Sequence, residues 1–308
     1  MIDFIATSTF GLEACVKREV IKLGFENVRT FDGRVEFTGD ESAIPKANLW
    51  LRCAGRVFVK MGEFKALSFE DLFQGTKALP WGDWIPVDGK FTVVGKSVKS
   101  MLHSVPDCQA IVKKAIVEKL KEKYEVDWFD ETGAEYTVQV ALLKDVATLT
   151  IDTSGSGLHK RGYRANALDA PLKETLAAAM VELSYWNKDR ILLDPFCGSG
   201  TIPIEAALIA RNIAPGLNRH FASEKWERVP EKLWKEERRR CYEAIDYDCM
   251  PKIYGSDIDP AAIELAKANA ELAGVDDCIT FEVKPSQEAE LYGDYGCLIT
   301  NPPYGERL

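Results

Sequence analysis

Ile191-Leu192-Leu193-Asp194-Pro195-Phe196-Cys197-Gly198-Ser199-Gly200-Thr201 is an apolar run that ends in an acid and passes into a turn of small residues. It continues as Ile202-Pro203-Ile204-Glu205-Ala206-Ala207-Leu208-Ile209-Ala210. The stretch reads as strand, tight turn, helix. In an open α/β sheet such a turn sits at the carboxyl end of its strand, where a ligand meets backbone amides and the positive end of a helix. Gly198 and Gly200 allow a close approach because neither carries a Cβ. No third glycine stands at dinucleotide spacing, and no Gly-Lys-Ser/Thr marks a phosphate loop.

About one hundred residues on, the apolar run Cys297-Leu298-Ile299-Thr300 ends in Asn301-Pro302-Pro303-Tyr304. In this order and spacing the two stretches resemble the motifs of class I S-adenosylmethionine-dependent amino-methyltransferases. The resemblance implies a Rossmann-like α/β domain and S-adenosylmethionine as cofactor. It makes Asp194, Pro195, Phe196, Gly198, Ser199, Gly200 and Thr201 cofactor-binding candidates, and Asn301, Pro302, Pro303 and Tyr304 catalytic ones. Ile253-Tyr254-Gly255-Ser256-Asp257 reads as a second strand ending in an acid. Asp257 can accept from both ribose hydroxyls, with Ile258 beside it, while Asp259 before Pro260 suits a helix cap. Asp194 fits a place near the methionine ammonium. After the third strand, Ile279 to Val283, the family often supplies an Asp for adenine; here stands Lys284-Pro285-Ser286-Gln287, and Ser286 or Gln287 is the substitute.

At 308 residues the chain has room for two or three domains. No apolar run approaches the ~18 residues that span a bilayer, and Met1-Ile2-Asp3-Phe4 does not start a secretion signal. The eight cysteines are scattered without a Cys-x-x-Cys pair, which fits a reducing cytosol and offers no zinc-ligand spacing. A cytoplasmic protein without a metal site is expected. The net charge of −9 is uneven: residues 1–164 carry 23 Lys+Arg and 23 Asp+Glu, residues 165–308 carry 16 and 25. A nucleic acid is therefore expected to be gripped mainly by the first part.

Along the chain, strand signals at Asp3 to Ser8, Val28 to Phe31, Val35 to Thr38 and Arg56 to Met61 alternate with helices over Gly11 to Gly24 and Ser42 to Cys53. This order suggests a ferredoxin-like α+β domain over residues 1–66. A helix from Ser68, a strand from Lys90 to Lys99, a helix capped by Asp107 and two strands up to Asp152 follow. Residues 67–155 resemble a THUMP domain, which implies RNA binding, with Lys96, Lys99, Lys113 and Lys114 as contacts. Ser154-Gly155-Ser156-Gly157 reads as linker, so residues 156–169 are expected to join this part to a methyltransferase domain over 170–308. In Leu158-His159-Lys160-Arg161-Gly162-Tyr163-Arg164, the residues His159, Lys160, Arg161 and Arg164 are RNA-contact candidates, or else the stretch is a hinge docking the two halves.

The stretch from Leu158 to Leu176 resembles the joint in THUMP-containing large-subunit ribosomal RNA guanine-N2 methyltransferases, whose next helix lines the cofactor pocket; Thr175 is then a contact. The expected activity is methylation of an exocyclic amine, guanine N2 in 23S rRNA. The alternatives are an adenine-N6 DNA methyltransferase and an inactive RNA-binding assembly factor. Because that family's fold continues past its catalytic loop, the domain ending at Leu308 is expected to be C-terminally incomplete. Oligomeric state is not legible.

Overall fold

The structure is a computed structural model and describes residues 1–164, 172–290 and 293–303. The chain opens with β1 (Ile2–Thr7), α1 (Glu13–Lys22), β2 (Glu26–Phe31), β3 (Arg34–Gly39), α2 (Ala43–Trp50) and β4 (Val57–Lys65). Helix α1 buries Cys15, Val16 and Val20. The β2–β3 hairpin turns at Asp32-Gly33, where Gly33 takes φ +72°. Pro45 lies in the first turn of α2, where a missing N–H breaks no helical bond. The four strands lie antiparallel in the order β2-β3-β1-β4, the expected ferredoxin-like arrangement.

The next elements are α3 (Phe69–Lys77), β5 (Lys90–Val98), α4 (Val105–Tyr124), β6 (Glu135–Leu143) and β7 (Val146–Asp152). A reciprocal capping box between Ser68 and Asp71 starts α3. Asp107 does not cap α4. The helix begins three residues earlier than that reading requires, after Ser104 and with Pro106 in its first turn, because proline's fixed φ already suits a helix start.

Strand β4 pairs with β1 along one edge and with β7 along the other. One seven-stranded sheet, β2-β3-β1-β4-β7-β6-β5, therefore runs through both N-terminal parts. The expected division at residue 66 falls where the chain leaves the shared strand. A single apolar core, with Phe4, Val59, Trp81, Ile116 and Leu149, underlies the whole sheet.

The last part holds α5 (Glu174–Leu183), β8 (Leu192–Asp194), α6 (Thr201–Ala210), α7 (Glu231–Glu243), β9 (Ile253–Asp257), α8 (Pro260–Ala273), β10 (Ile279–Val283) and β11 (Cys297–Leu298). Its four strands are all parallel, in the order β10-β9-β8-β11. The chain steps outward from β8 to β9 to β10 and returns to the other side of β8 as β11. That reversal makes the carboxyl end of the β8–β11 pair the topological switch point, where open α/β sheets bind ligands. Helix α6 is buried from Thr201 to Leu208, and Asp259 caps α8 by accepting from the Ala261 N–H at 2.9 Å.

The stretch read as a linker is packed. Ser154 is fully buried, and its hydroxyl donates to Asn48 Oδ1 at 2.6 Å. Arg219 donates to the Ser156 and Gly157 carbonyls, both at 2.6 Å. Small side chains here serve to let a guanidinium reach the backbone. Residues 211–250 also pack back onto the N-terminal parts: Trp226 stacks on Tyr136 at 4.8 Å and meets Trp84 edge-on. Among the described residues no helix is long and apolar enough to cross a membrane.

Candidate active site

Strand β8 delivers Asp194, 1% exposed, to the carboxyl edge of the sheet. The turn after it is held by the neighbouring strand. Phe196 N–H donates to Asp194 Oδ1 at 3.2 Å, Cys197 N–H to the Ser256 carbonyl at 2.9 Å, and Gly198 N–H to Asp257 Oδ2 at 2.9 Å. Asp257 also accepts from Asp259 N–H at 3.0 Å through its other oxygen. Among the described residues each carboxylate oxygen accepts one such bond, which leaves a lone pair for a hydroxyl donor.

The two glycines of the turn differ. Gly198, at φ +52°, would carry a Cβ into open space, whereas a Cβ on Gly200, at φ +80°, would press on Ala266 at 3.0 Å and Phe281 at 3.1 Å. Gly198 leaves room for a ligand; Gly200 lets α6 sit against α8 and β10, which corrects the assignment of ligand approach to both. Asn269, buried in α8, donates to the Ser199 carbonyl at 3.0 Å and fixes the turn from behind.

Burial pushes the Asp194 carboxyl from its ordinary 3.8 up to about 7; the Thr300 hydroxyl and the Phe196 amide pull it down, and nearby Asp257 adds to the rise. Among the described residues an ionised Asp194 thus has no countercharge, which a cationic ligand would supply. Burial and the same two acids push the Cys197 thiol far up, so no thiolate nucleophile forms there at neutral pH.

Strand β11 runs beside β8, with Cys297 N–H donating to the Ile191 carbonyl at 2.7 Å and Ile299 N–H to the Leu193 carbonyl at 3.0 Å. The loops that follow Asp194 and Ile299 therefore leave adjacent parallel strands at the same edge. Asn301, Pro302 and Pro303 are exposed there. Tyr304 lies outside the described residues.

Residues 3–58 match the RlmL ferredoxin-like domain, residues 66–152 the THUMP domain, and residues 161–308 the RMKL-like methyltransferase domain. Across 306 residues the chain is 54% identical to YpsC of Bacillus subtilis, named as a proposed RNA methyltransferase, covering 99% of this chain and 79% of that one. The chain belongs to the RMKL-like methyltransferases. It is also 38% identical to the ribosomal RNA large subunit methyltransferase K/L of Psychromonas ingrahamii, covering 42% of that longer protein. The crystal structure of SMU.472 complexed with SAH superposes with a TM-score of 0.94 at 44% identity, over 100% of this chain and 81% of that one. The cofactor of this methyltransferase is S-adenosylmethionine.

The donor set suits that molecule: a buried, uncompensated carboxylate for its cationic amino-acid end, open space at Gly198, and Asp257 with spare acceptors. Pro195, Ser199 and Thr201 are buried and shape the turn, while Phe196 is half-buried beside it. Thr175 is buried in the first turn of α5. Ile258 is 73% exposed next to Asp257, and Ser286 lies half-buried just after β10, both at the carboxyl edge of the sheet.

The basic candidates divide. Lys96, Lys99, Lys113 and Lys114 are exposed on β5, the turn after it, and α4. His159 and Lys160 reach the surface, and burial, with the cations of Lys173, Lys160, Arg161 and Arg219 around it, holds the His159 imidazole below its usual range. Arg161 is 3% exposed and cannot contact RNA: it pairs with fully buried Glu205 and donates to the Arg52 and Leu158 carbonyls. Arg164 pairs with Glu174 at 2.7 Å and donates to Thr201 Oγ1 at 3.1 Å, so it too is an internal strut. Arg161 docks the two halves, between Arg52 and Glu205, whereas the partners of Arg164 all lie in the methyltransferase part. A lone acid in the otherwise apolar α6, Glu205, was the sequence signal that a buried cation had to come from elsewhere. Arg238, Arg239 and Arg240 are each paired with glutamates.

Proposed function

We propose that this methyltransferase acts on an exocyclic amine of an RNA base, guanine N2 in large-subunit ribosomal RNA. The observation that carries the reading is the parallel pairing of β11 with β8, which sets the Asn301 loop beside the cofactor turn across the switch point. The RNA part is supported by the THUMP match, by the exposed lysines of β5 and α4, and by the name of the Psychromonas relative.

S-adenosylmethionine supplies, when bound, an electrophilic methyl on its sulfonium. Asp194 would receive its ammonium, Asp257 its ribose hydroxyls, and Ser286 its adenine edge. A ring amine is a weak nucleophile while its lone pair is delocalised. Two acceptors on its N–H groups favour the tetrahedral nitrogen; the Asn301 side-chain oxygen and the Pro302 carbonyl provide them. Pro302 and Pro303 restrict the loop, so the acceptors are held before the base arrives. Tyr304 would stack on the extruded base, worth about 1–3 kcal/mol.

Transfer of tritium from labelled S-adenosylmethionine to ribosomal RNA from a strain lacking the gene, with duplex DNA in parallel, tests the proposal. N2-methylguanosine in the nucleoside digest is expected. Label only in DNA, or only at adenine N6, rejects it.

A further inference from the structure

A second cleft opens between the ferredoxin-like part and the methyltransferase part, with a volume of about 590 Å³. Its walls come from α1 (Arg18, Glu19, Lys22), α2 (Lys46, Trp50), Arg52, the end of α5 (Glu182) and α7 (Glu237, Arg240). The volume lies within the ~300–1,000 Å³ of small-molecule sites. The cleft is distinct from the cofactor turn. Glu182 stands in the last turn of α5 and Asn212 just past α6, whereas the turn precedes the first residue of α6. Ten helical residues separate the two by about 15 Å.

Most of its acids are already committed. Glu237 is 5% exposed and accepts from Trp50 Nε1 at 2.8 Å and from Arg240 at 3.3 Å. Glu19 accepts from the Arg52 and Cys53 N–H groups, and burial raises its carboxyl to about 7. Glu182 remains half-buried at the rim. The cations are less well matched. Arg18 donates to the Cys15 sulfur at 3.5 Å, Lys46 lies over the Phe25 ring at 5.5 Å, and Lys22 is exposed. Arg52 is 7% exposed; its Nη2 donates to the Ile213 carbonyl at 2.8 Å, while its Nη1 is buried without a partner. Arg52 is thus a fixed positive charge in the wall of the cleft, with Glu205 and Glu19 as its nearest acids.

We propose that this cleft binds a small phosphorylated ligand of the nucleoside diphosphate class. The phosphates would meet Arg18 and Lys46, two flexible cations that suit two charged groups, while buried Arg52 adds positive potential from the wall. Trp50 and Leu23 give the apolar wall that a base requires, and Glu182 is the acceptor within reach of a ribose. A bare phosphate would leave most of the volume unfilled.

Calorimetric titration of UDP into the full chain saturated with S-adenosylhomocysteine tests this, since UDP lacks the adenosyl group of the cofactor. Saturable binding at one site is expected. The double variant Arg18→Ala/Lys46→Ala should weaken it at least about tenfold, and Lys232→Ala, at an exposed lysine of α7 outside the cleft, should leave it unchanged. Both changed residues are at least partly exposed, so the variants fold, and S-adenosylhomocysteine binding reports that they have. Absence of saturable UDP binding, equal binding by the double variant, or binding that these residues support for an oligouridylate alone overturns the proposal.

Discussion

With the cofactor ammonium placed at Asp194 as proposed, cofactor binding should be a proton-linked event. Its carboxyl rises from 3.8 to about 7 in the folded protein, which corresponds to about 4 kcal/mol of ionisation held against burial. A group raised in this way contributes stability that is complete below about pH 4 and is lost as the pH rises through about 7. A ligand ammonium beside it restores the ionised form, so binding releases a proton wherever the free protein still holds one. For S-adenosylhomocysteine, Kd should be flat above about pH 8 and rise about tenfold per pH unit below about 7. Titration at about pH 6 in buffers of different ionisation enthalpy should show about one proton released per ligand. Asp194→Asn, isosteric but always neutral, should bind more weakly at pH 8, by about two orders of magnitude, and lose the pH dependence. A wild-type Kd that stays constant from about pH 5.5 to 8 with no proton release refutes the assignment of Asp194 to the ammonium.

Asn301→Ala should lower kcat about 10²- to 10³-fold, as loss of a transition-state contact does, while S-adenosylhomocysteine affinity in the same calorimetric assay stays within about twofold. Gly200→Ala should reduce stability by about 1–3 kcal/mol in thermal or urea unfolding, because the αL backbone and the Ala266 and Phe281 contacts both oppose a methyl group. Gly198→Ala, with open space around it, should cost less in the same assay. Arg161→Ala should destabilise by about 3–5 kcal/mol, since it strands Glu205 in a buried site; its RNA affinity per folded molecule, by filter binding, should be unchanged. Lys113→Glu/Lys114→Glu should do the opposite, leaving the unfolding midpoint within a few degrees and weakening RNA at least about tenfold at low salt.

Much of this was legible because local chemistry and tertiary structure agree. An apolar run ending in Asp194, and another ending before Asn301, are strands in any α/β arrangement, and Asp259 with Pro260 starts a helix by backbone geometry alone. What the one-dimensional chain concealed was partnership. Arg161 and Arg164 look like RNA contacts beside Lys160, yet both answer acids, Glu205 and Glu174, that lie far from a surface. Gly200 looks like Gly198 until Phe281, about eighty residues later, is seen to fill the space behind it. Ser154, Ser156 and Gly157 have the composition of a tether, and only Asn48 and Arg219 reveal that they are clamped. The edge-to-edge joining of the two N-terminal parts through β4 was invisible for the same reason, since nothing in a strand's own sequence names the neighbour on its second side.

That shared strand gives the protein the character of a caliper. Because β4 runs in the middle of the one seven-stranded sheet, and Trp226 against Tyr136 and Arg161 against the Arg52 carbonyl fasten the methyltransferase part to the N-terminal parts, the lysine-bearing face and the cofactor turn cannot slide relative to each other without breaking the core. If the exposed lysines hold RNA and the Asn301 loop receives the methylated base, as proposed, target selection becomes a matter of span, and a base set a few nucleotides off should be held without being modified.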